Sequence, residues 1–328
     1  MRLPALLQAP HYAQQSMLDP AGPKAAAVTD FWWFIFVTSA IVFVVVGGAL
    51  LYGALKRPGA GPPAAVAVDA ERRVGRVVGG AVAATALILA VFLTLNWQLE
   101  RAIASPKQGD VLSVDVIGHQ WWWEIQYPDS LRPSNWITTA NEVHIPVHRR
   151  VRLRMTSRDV IHSFWVPNLS GKKDLVPGRV TETWFEADSP GVYRGQCAEF
   201  CGHQHANMAL LVVAHRPDEF REWVSAQRAP AAEPSDSLRE EGKHVFLSAS
   251  CSLCHSIAGT PAFGRIGPDL THVGSRRTIA AGTLPNTRGH LAGWILDPQR
   301  IKPGAYMPPN GLDPRQLEAL LAYVGGLK

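Results

Sequence analysis

Cys197-Ala-Glu199-Phe-Cys201-Gly-His203-Gln-His205-Ala-Asn-Met208 is the stretch that decides what this chain folds around. It gathers two thiols, two imidazoles and a thioether, the donor types that a soft metal such as copper prefers. The remaining two cysteines stand in Cys251-Ser-Leu-Cys254-His255, a Cys-x-x-Cys-His haem-attachment signature. The chain has four cysteines, so the two motifs use them all. Two such centres on one chain imply the movement of electrons.

A blue mononuclear copper needs one cysteine, two histidines and a weak axial methionine. Here there is one cysteine too many. Two thiolates can instead bridge two coppers, each taking one histidine and one weaker ligand. Met208 supplies one weak ligand, and a backbone carbonyl near Glu199 the other. The second histidine has to come from elsewhere. His162, in Asp159-Val-Ile-His162-Ser163, follows a strand-like stretch through Met155, but His119, His144 and His148 are also available, and His203 competes with His205. A disulfide between Cys197 and Cys201 is the plainer alternative in an oxidising compartment. A structural zinc site is another, and would leave Met208 without a role.

At the haem motif two thioethers would clamp the porphyrin and His255 would be the proximal iron ligand. A thioredoxin-like dithiol would need a βαβ context that the sequence lacks. Met307, in Tyr306-Met307-Pro308-Pro309, is the one methionine downstream of His255, with His272 and His290 as rivals for the distal position. Methionine ligation raises the haem potential, and two filled axial positions leave no room for oxygen. Asp313, Pro314 and Gln316 predict a capped helix start, followed by an apolar stripe of Leu317, Leu320, Leu321 and Val324. A small helical domain over 236–328 follows. Before it, 218–227 reads as a short helix and Arg228-Ala-Pro-Ala-Ala-Glu-Pro-Ser235 as a flexible tether.

The rest of the 328 residues divides by composition. Phe31–Tyr52 and Val77–Leu95 are uncharged runs of 22 and 19 residues, long enough to cross about 30 Å of hydrocarbon. The connection between them carries Lys56, Arg57, Arg72, Arg73 and Arg76 against Asp69 and Glu71. That bias puts the loop in the cytoplasm and both chain ends outside. Trp32, Trp33 and Trp97 fall near the outer ends. Met1–Pro10 is a poor secretory signal, with one positive charge and a proline-broken apolar run. The segment 1–30 is read as an outer tail and 31–97 as a transmembrane hairpin. From 108 to 215, strand-like stretches at 111–117, 151–156, 181–186 and 208–213, with Pro-Gly turns, predict an antiparallel β-sandwich or barrel. Within it, Trp121, Trp122 and Trp123 cannot all face one core, because strand side chains alternate. At least one is expected in solvent or at an interface. A net charge of +5 without a basic, aromatic-interleaved patch gives no support to a nucleic-acid partner.

Taken together, the hairpin, Gly118-His119-Gln120-Trp121, Asp159–Ser163, Cys197–Met208 and Cys251–His255 resemble subunit II of a haem–copper cytochrome c oxidase of the caa3 type, with a fused cytochrome c domain. The resemblance spans nearly the whole chain. It implies a cupredoxin-like domain holding dinuclear copper A through His162, Cys197, the Glu199 carbonyl, Cys201, His205 and Met208, and it favours His205 over His203. It implies an all-α class I cytochrome c domain binding haem c through Cys251, Cys254, His255 and Met307. Trp121 matches the tryptophan through which electrons reach the copper, and the Glu199 side chain matches a magnesium ligand at the interface with subunit I. Asp159 and Asp174 would belong to the acidic or polar surroundings of the copper and the subunit interface. Relatives often carry a glutamate followed by Ile-Trp at a proton-channel mouth. Here Glu71 precedes Arg72 and Arg73, so that role is not carried over.

The function implied is a relay. Electrons pass from the fused haem domain, an external cytochrome c or a cytochrome bc-type donor, through copper A to haem a in subunit I, where oxygen becomes water and protons are pumped. Partners would be subunit I and further oxidase subunits, in a bacterial inner membrane with both metal domains periplasmic. A quinol-oxidase subunit II would lack the cysteines. A nitrous oxide reductase would lack the membrane helices. A free membrane-tethered carrier differs only in having no oxidase partner.

Overall fold

The structure is a computed structural model, and it describes residues 15–56, 68–104, 110–129 and 136–328. The readings made above for Met1–Pro10, for Arg57 in the inter-helix connection and for a domain start at residue 108 lie outside the described residues. The described residues fall into two units: one runs from Ala26 to Ala104, and the other holds those up to Ala25 and those from Asp110 onward.

The first unit is built on helices α1 (Pro23–Leu55) and α2 (Val68–Ala104). At 33 and 37 residues they are about 50 Å long or more, which exceeds the hydrocarbon thickness. Neither is buried along its apolar stretch, and Phe43 and Leu50 are 78% and 70% exposed. So much apolar surface is stable only against lipid or another protein. Phe34, early in α1, meets Phe92, late in α2, edge-on at 5.3 Å, so the two helices run antiparallel.

The second unit begins with ten strands, β1 (Val111–His119), β2 (Trp122–Tyr127), β3 (Ile137–Ala140), β4 (Glu142–Pro146), β5 (Arg150–Ser157), β6 (His162–Trp165), β7 (Lys173–Leu175), β8 (Thr181–Phe185), β9 (Gly191–Cys197) and β10 (Ala209–His215). They form two five-stranded sheets, ordered β3-β2-β1-β5-β8 and β4-β10-β9-β6-β7. Alternation drives this arrangement: Val151, Leu153 and Met155 are buried while Arg150, Arg152 and Arg154 face outward. Trp123, Ile125 and Tyr127 of β2 enter the same core. The expected sandwich is present, but it is not wholly antiparallel. The chain leaves β3 for the opposite sheet as β4 and returns as β5 beside β1, so β1–β5 and β4–β10 pair in parallel.

After the sandwich come α3 (Pro217–Gln227), α4 (Ser237–Ser248), α5 (Cys251–Cys254), a two-residue-strand hairpin of β11 (Thr278–Ile279) and β12 (Leu284–Pro285), then α6 (Arg288–Leu296), α7 (Pro298–Ile301) and α8 (Pro314–Gly326). Asp313 accepts from the Gln316 N–H and Gln316 accepts from the Asp313 N–H, closing the predicted capping box. Leu320, Leu321 and Val324 of α8 are buried in a separate core with Val245 and Phe246 of α4. The proline-rich segment 228–235 is not a loose tether. Ala231 N–H donates to Ala258 O at 3.0 Å, His272 Nε2 lies 3.1 Å from Ala229 O, and Lys243 Nζ donates to Glu233 at 2.6 Å. An extended Pro/Ala backbone leaves its amides and carbonyls without local partners, and the haem-side loops supply them.

Helices α4 and α8 cross at Gly242, where an added Cβ would lie 2.1 Å from the Ala319 carbonyl oxygen. In an isolated helix Gly→Ala stabilises by roughly 1 kcal/mol. Here Gly242→Ala should instead destabilise the haem-side unit by about 1–3 kcal/mol, read as a lower denaturant midpoint with haem absorbance as the probe. At the far edge of the sandwich His144 stacks on Trp223 at 4.3 Å and lies 2.8 Å from His215. Burial, followed by repulsion from His144, holds the His215 pKa down to about 4. The unfolded imidazole protonates near 6.5, so the unfolded chain binds more protons between those values and stability falls as pH drops from about 6.5 to about 4. His215→Gln should flatten that slope in unfolding measured across pH.

Candidate metal and haem centres

Strand β9 delivers Cys197 at its last residue, and the turn after it brings Cys201, His205 and Met208 back to the start of β10. All but His205 of these four are buried. The sulfurs of Cys197 and Cys201 lie 3.8 Å apart and are free thiols. His205 Nδ1 is 3.6 Å and Met208 Sδ 3.8 Å from the Cys201 sulfur. The Glu199 carbonyl oxygen is 3.2 Å from the Cys197 sulfur. His162 arrives from β6, which pairs with the end of β9 through Phe164 and Cys197, so that its Nδ1 stands 3.8 Å from the Cys197 sulfur. His162, Cys197 and Cys201 form a buried three-ligand cluster.

The surroundings orient these donors. Asp159 Oδ1 is 2.8 Å from His162 Nε2, which leaves Nδ1 aimed at sulfur, as expected of a ligand histidine anchored by a carboxylate. Asp159 also accepts the Gln120 and Val160 N–H groups. Its burial would raise its pKa, but the hydrogen bond to His162 and these amides leave it lowered. Burial works against protonated His162, yet its bonds to Asp159 and Cys197 leave its pKa raised. The hydrogen bond shared with Cys201, with a further one to His162, holds the Cys197 thiol below its usual range, and the same pairing pushes Cys201 up. Gly118 lets the His162 ring approach, since a Cβ there would lie 2.7 Å from its Cδ2.

The rival histidines are occupied elsewhere. His119 pairs with Glu124 at 2.9 Å, His144 faces His215, and His148 and His203 are exposed. The Glu199 carboxylate is 3.9 Å from Lys172 Nζ and belongs to no cluster of three ligands among the described residues. Asp174 is exposed in β7.

The haem-side residues line one large apolar cavity that includes Cys251, Cys254, His255 and Met307. His255 Nδ1 is 2.7 Å from the Pro268 carbonyl, so Nε2 is the nitrogen free for a metal. A Cβ at Gly267 would lie 2.5 Å from His255 Cε1, and one at Gly264 2.5 Å from the Cys254 carbonyl carbon. Both glycines keep the imidazole's surroundings open. His272 is buried against Ala229 and His290 is exposed at its own helix start. Free thiols, a backbone-anchored imidazole and a loop-borne thioether around an apolar cavity are a donor set that fits a covalently held haem.

Trp121 also lines that cavity. Its Nε1–H donates to the Cys201 carbonyl at 2.9 Å, and Tyr306, next to Met307, stacks on its ring at 6.1 Å. Trp121 and Trp123 are buried and Trp122 is half-buried against His119. The interface expected for one tryptophan is therefore within the chain. Sequence reasoning missed three contacts around this tryptophan and its sheet: Tyr306 on its ring, Lys302 Nζ donating to its carbonyl at 2.8 Å, and Glu142 accepting the Arg277 N–H at 2.6 Å.

Two family models match, "Cytochrome C oxidase subunit II, periplasmic domain" over 130–215 and "Cytochrome c" over 239–328. Cytochrome c oxidase subunit 2 of Alkalihalophilus pseudofirmus is 35% identical over 327 residues, 95% of this chain and 90% of that protein. The same subunit of Bacillus sp. strain PS3 is 33% identical over 68% of this chain and 64% of its own length. The crystal structure of the periplasmic domain of subunit II of cytochrome oxidase of Bradyrhizobium japonicum is 33% identical, covering 38% of this chain and 96% of that one, with a TM-score of 0.34. A family model for each metal-binding half, and a relative matched almost end to end, make the chain a cytochrome c oxidase subunit 2 carrying a fused cytochrome c domain.

Proposed function

We propose that this chain is the electron-input arm of the oxidase, with two loaded centres. His162, Cys197, the Glu199 carbonyl, Cys201, His205 and Met208 would hold dinuclear copper A, and Cys251, Cys254, His255 and Met307 would hold haem c. When bound, both groups supply one-electron transfer with little change of geometry. The observation that carries the reading is that Trp121 borders the haem cavity while donating its N–H to the Cys201 carbonyl. The chain's own residues do the positioning. Asp159 fixes the His162 tautomer and the Pro268 carbonyl fixes that of His255. The apolar cavity wall excludes water, which keeps reorganisation small. From copper A the electron would go to haem a in subunit I, where oxygen reduction to water is coupled to proton pumping. The positive connection between α1 and α2 supports a cytoplasmic loop, with both redox domains on the periplasmic side of a bacterial inner membrane.

Metal and haem analysis with EPR on the protein isolated from its membrane tests this reading. The expected result is two coppers sharing one unpaired electron and one covalent low-spin haem. A single type-1 copper, or a disulfide between Cys197 and Cys201, would refute it. Cys197→Ser should abolish the shared-electron signal while leaving the haem spectrum intact. Met307→Ala should lower the haem midpoint potential and open a coordination position to added ligands; an unchanged spectrum removes Met307 from the ligand set.

A further inference from the structure

Two haem-side loops that line the cavity also bond to the sandwich. In the first, the backbone N–H groups of Arg277 and Thr278 both donate to Oε1 of Glu142, at 2.6 and 3.3 Å. Glu142 is 1% exposed. The same loop accepts the Ala209 N–H at the Ala281 carbonyl, 2.9 Å away. It does so with Gly282 at φ +74°, where a Cβ would lie 2.8 Å from that of Ala209. In the second loop, Lys302 Nζ donates across to the Trp121 carbonyl at 2.8 Å and back to the Ala280 carbonyl at 3.2 Å. Lys302 is 3% exposed. Its neighbour Pro303 accepts from Gln204 Nε2 at 2.7 Å, and Tyr306 OH donates to Gln120 at 3.0 Å.

We propose that Lys302 and Glu142 are positioning residues: together they dock the haem-side loops against the sandwich at Trp121 and so fix the distance between the two centres. A lysine and a glutamate tolerate burial only when hydrogen-bonded, and here the cross-domain carbonyl and amides supply that bonding. Releasing the domain would leave both loops to be rehydrated at once. With the domain seated, Trp121 is 8% exposed and lies under Tyr306, and a Cβ at Gly304 would lie 3.9 Å from its ring. The electron-transfer half of this inference rests on the copper and haem reading above; the docking half does not. In that transfer one electron leaves the haem iron and reduces the copper pair, and no bond forms or breaks.

Hydrogen–deuterium exchange on the full chain in detergent reads the dock directly. The amides of Ala209, Arg277 and Thr278 are protected by contacts between the domains. In Lys302→Met their exchange should rise at least ~tenfold, the effect of losing one donor to buried acceptors, while α8 stays protected. Tyr306→Leu, at a 70% exposed side chain, should raise it in the same places by less. Unchanged exchange in both variants overturns the dock; if Lys302→Met does not fold, Tyr306→Leu alone decides. As a second readout, electron redistribution from pre-reduced haem to copper should slow in Lys302→Met with both optical spectra unaltered. Equal rates in variant and parent overturn the positioning role. Absence of haem-to-copper transfer in the parent, with the exchange response intact, would refute the relay and leave the dock standing.

Discussion

Trp121 is the residue that ties the sulfur cluster to the apolar cavity beside it. Its indole N–H is committed to the Cys201 carbonyl, its own carbonyl takes Lys302, and its ring face takes Tyr306. Three separate interactions thus fix one side chain between a sulfur cluster and a haem cavity. A tryptophan suits this position because it joins a broad apolar face to a single polar handle. Gln120 repeats the pattern, donating to Cys201 O and accepting from Tyr306.

Behind that residue the sandwich acts as a rigid mount. The donor turn is anchored at both ends by strands that pair with each other, with Cys197 N–H donating to Met208 O at 2.9 Å. His162 is placed by a different strand, β6, and held by Asp159. The cluster also belongs to the hydrophobic core: Cys197, Cys201 and Met208 pack with Trp123, Phe164 and Leu175. Soft ligands make this economical, since thiol and thioether groups bury at little desolvation cost compared with carboxylates.

Much of this was legible from residue order, for physical reasons. Cys197, Cys201, His205 and Met208 are local in sequence, so their meeting requires only one turn. Strand β5 announced itself through the Arg/Val alternation, and α8 through Asp313, Pro314 and Gln316. What stayed hidden is what depends on non-local pairing. Spacing alone left His119, His144 and His148 beside His162, which the family resemblance singled out and the β6–β9 register accounts for; the parallel neighbours β1 and β5 need the crossing between sheets. Glu142 and Lys302 look like ordinary surface charges in the sequence. Their burial is a property of two domains meeting, and neither domain's periodicity encodes it. The proline-rich segment misled because composition reports stiffness and solubility, not whether a neighbouring loop supplies hydrogen-bond partners.

That segment also sets where the haem-bearing module starts. Ala231 packs on its core, and Ala229 and Ala231 each bond to it. The composition boundary at residue 236 therefore falls inside a cooperative piece of structure. Severing the chain there would strip His272 and the Ala258 carbonyl of their partners and bare an apolar flank. An autonomous haem module has to retain the residues from Ala229 onward. Between α3 and that alanine stands only Arg228, whose guanidinium meets Asp129 at 3.4 Å, so the module is carried on the end of α3 without a free linker.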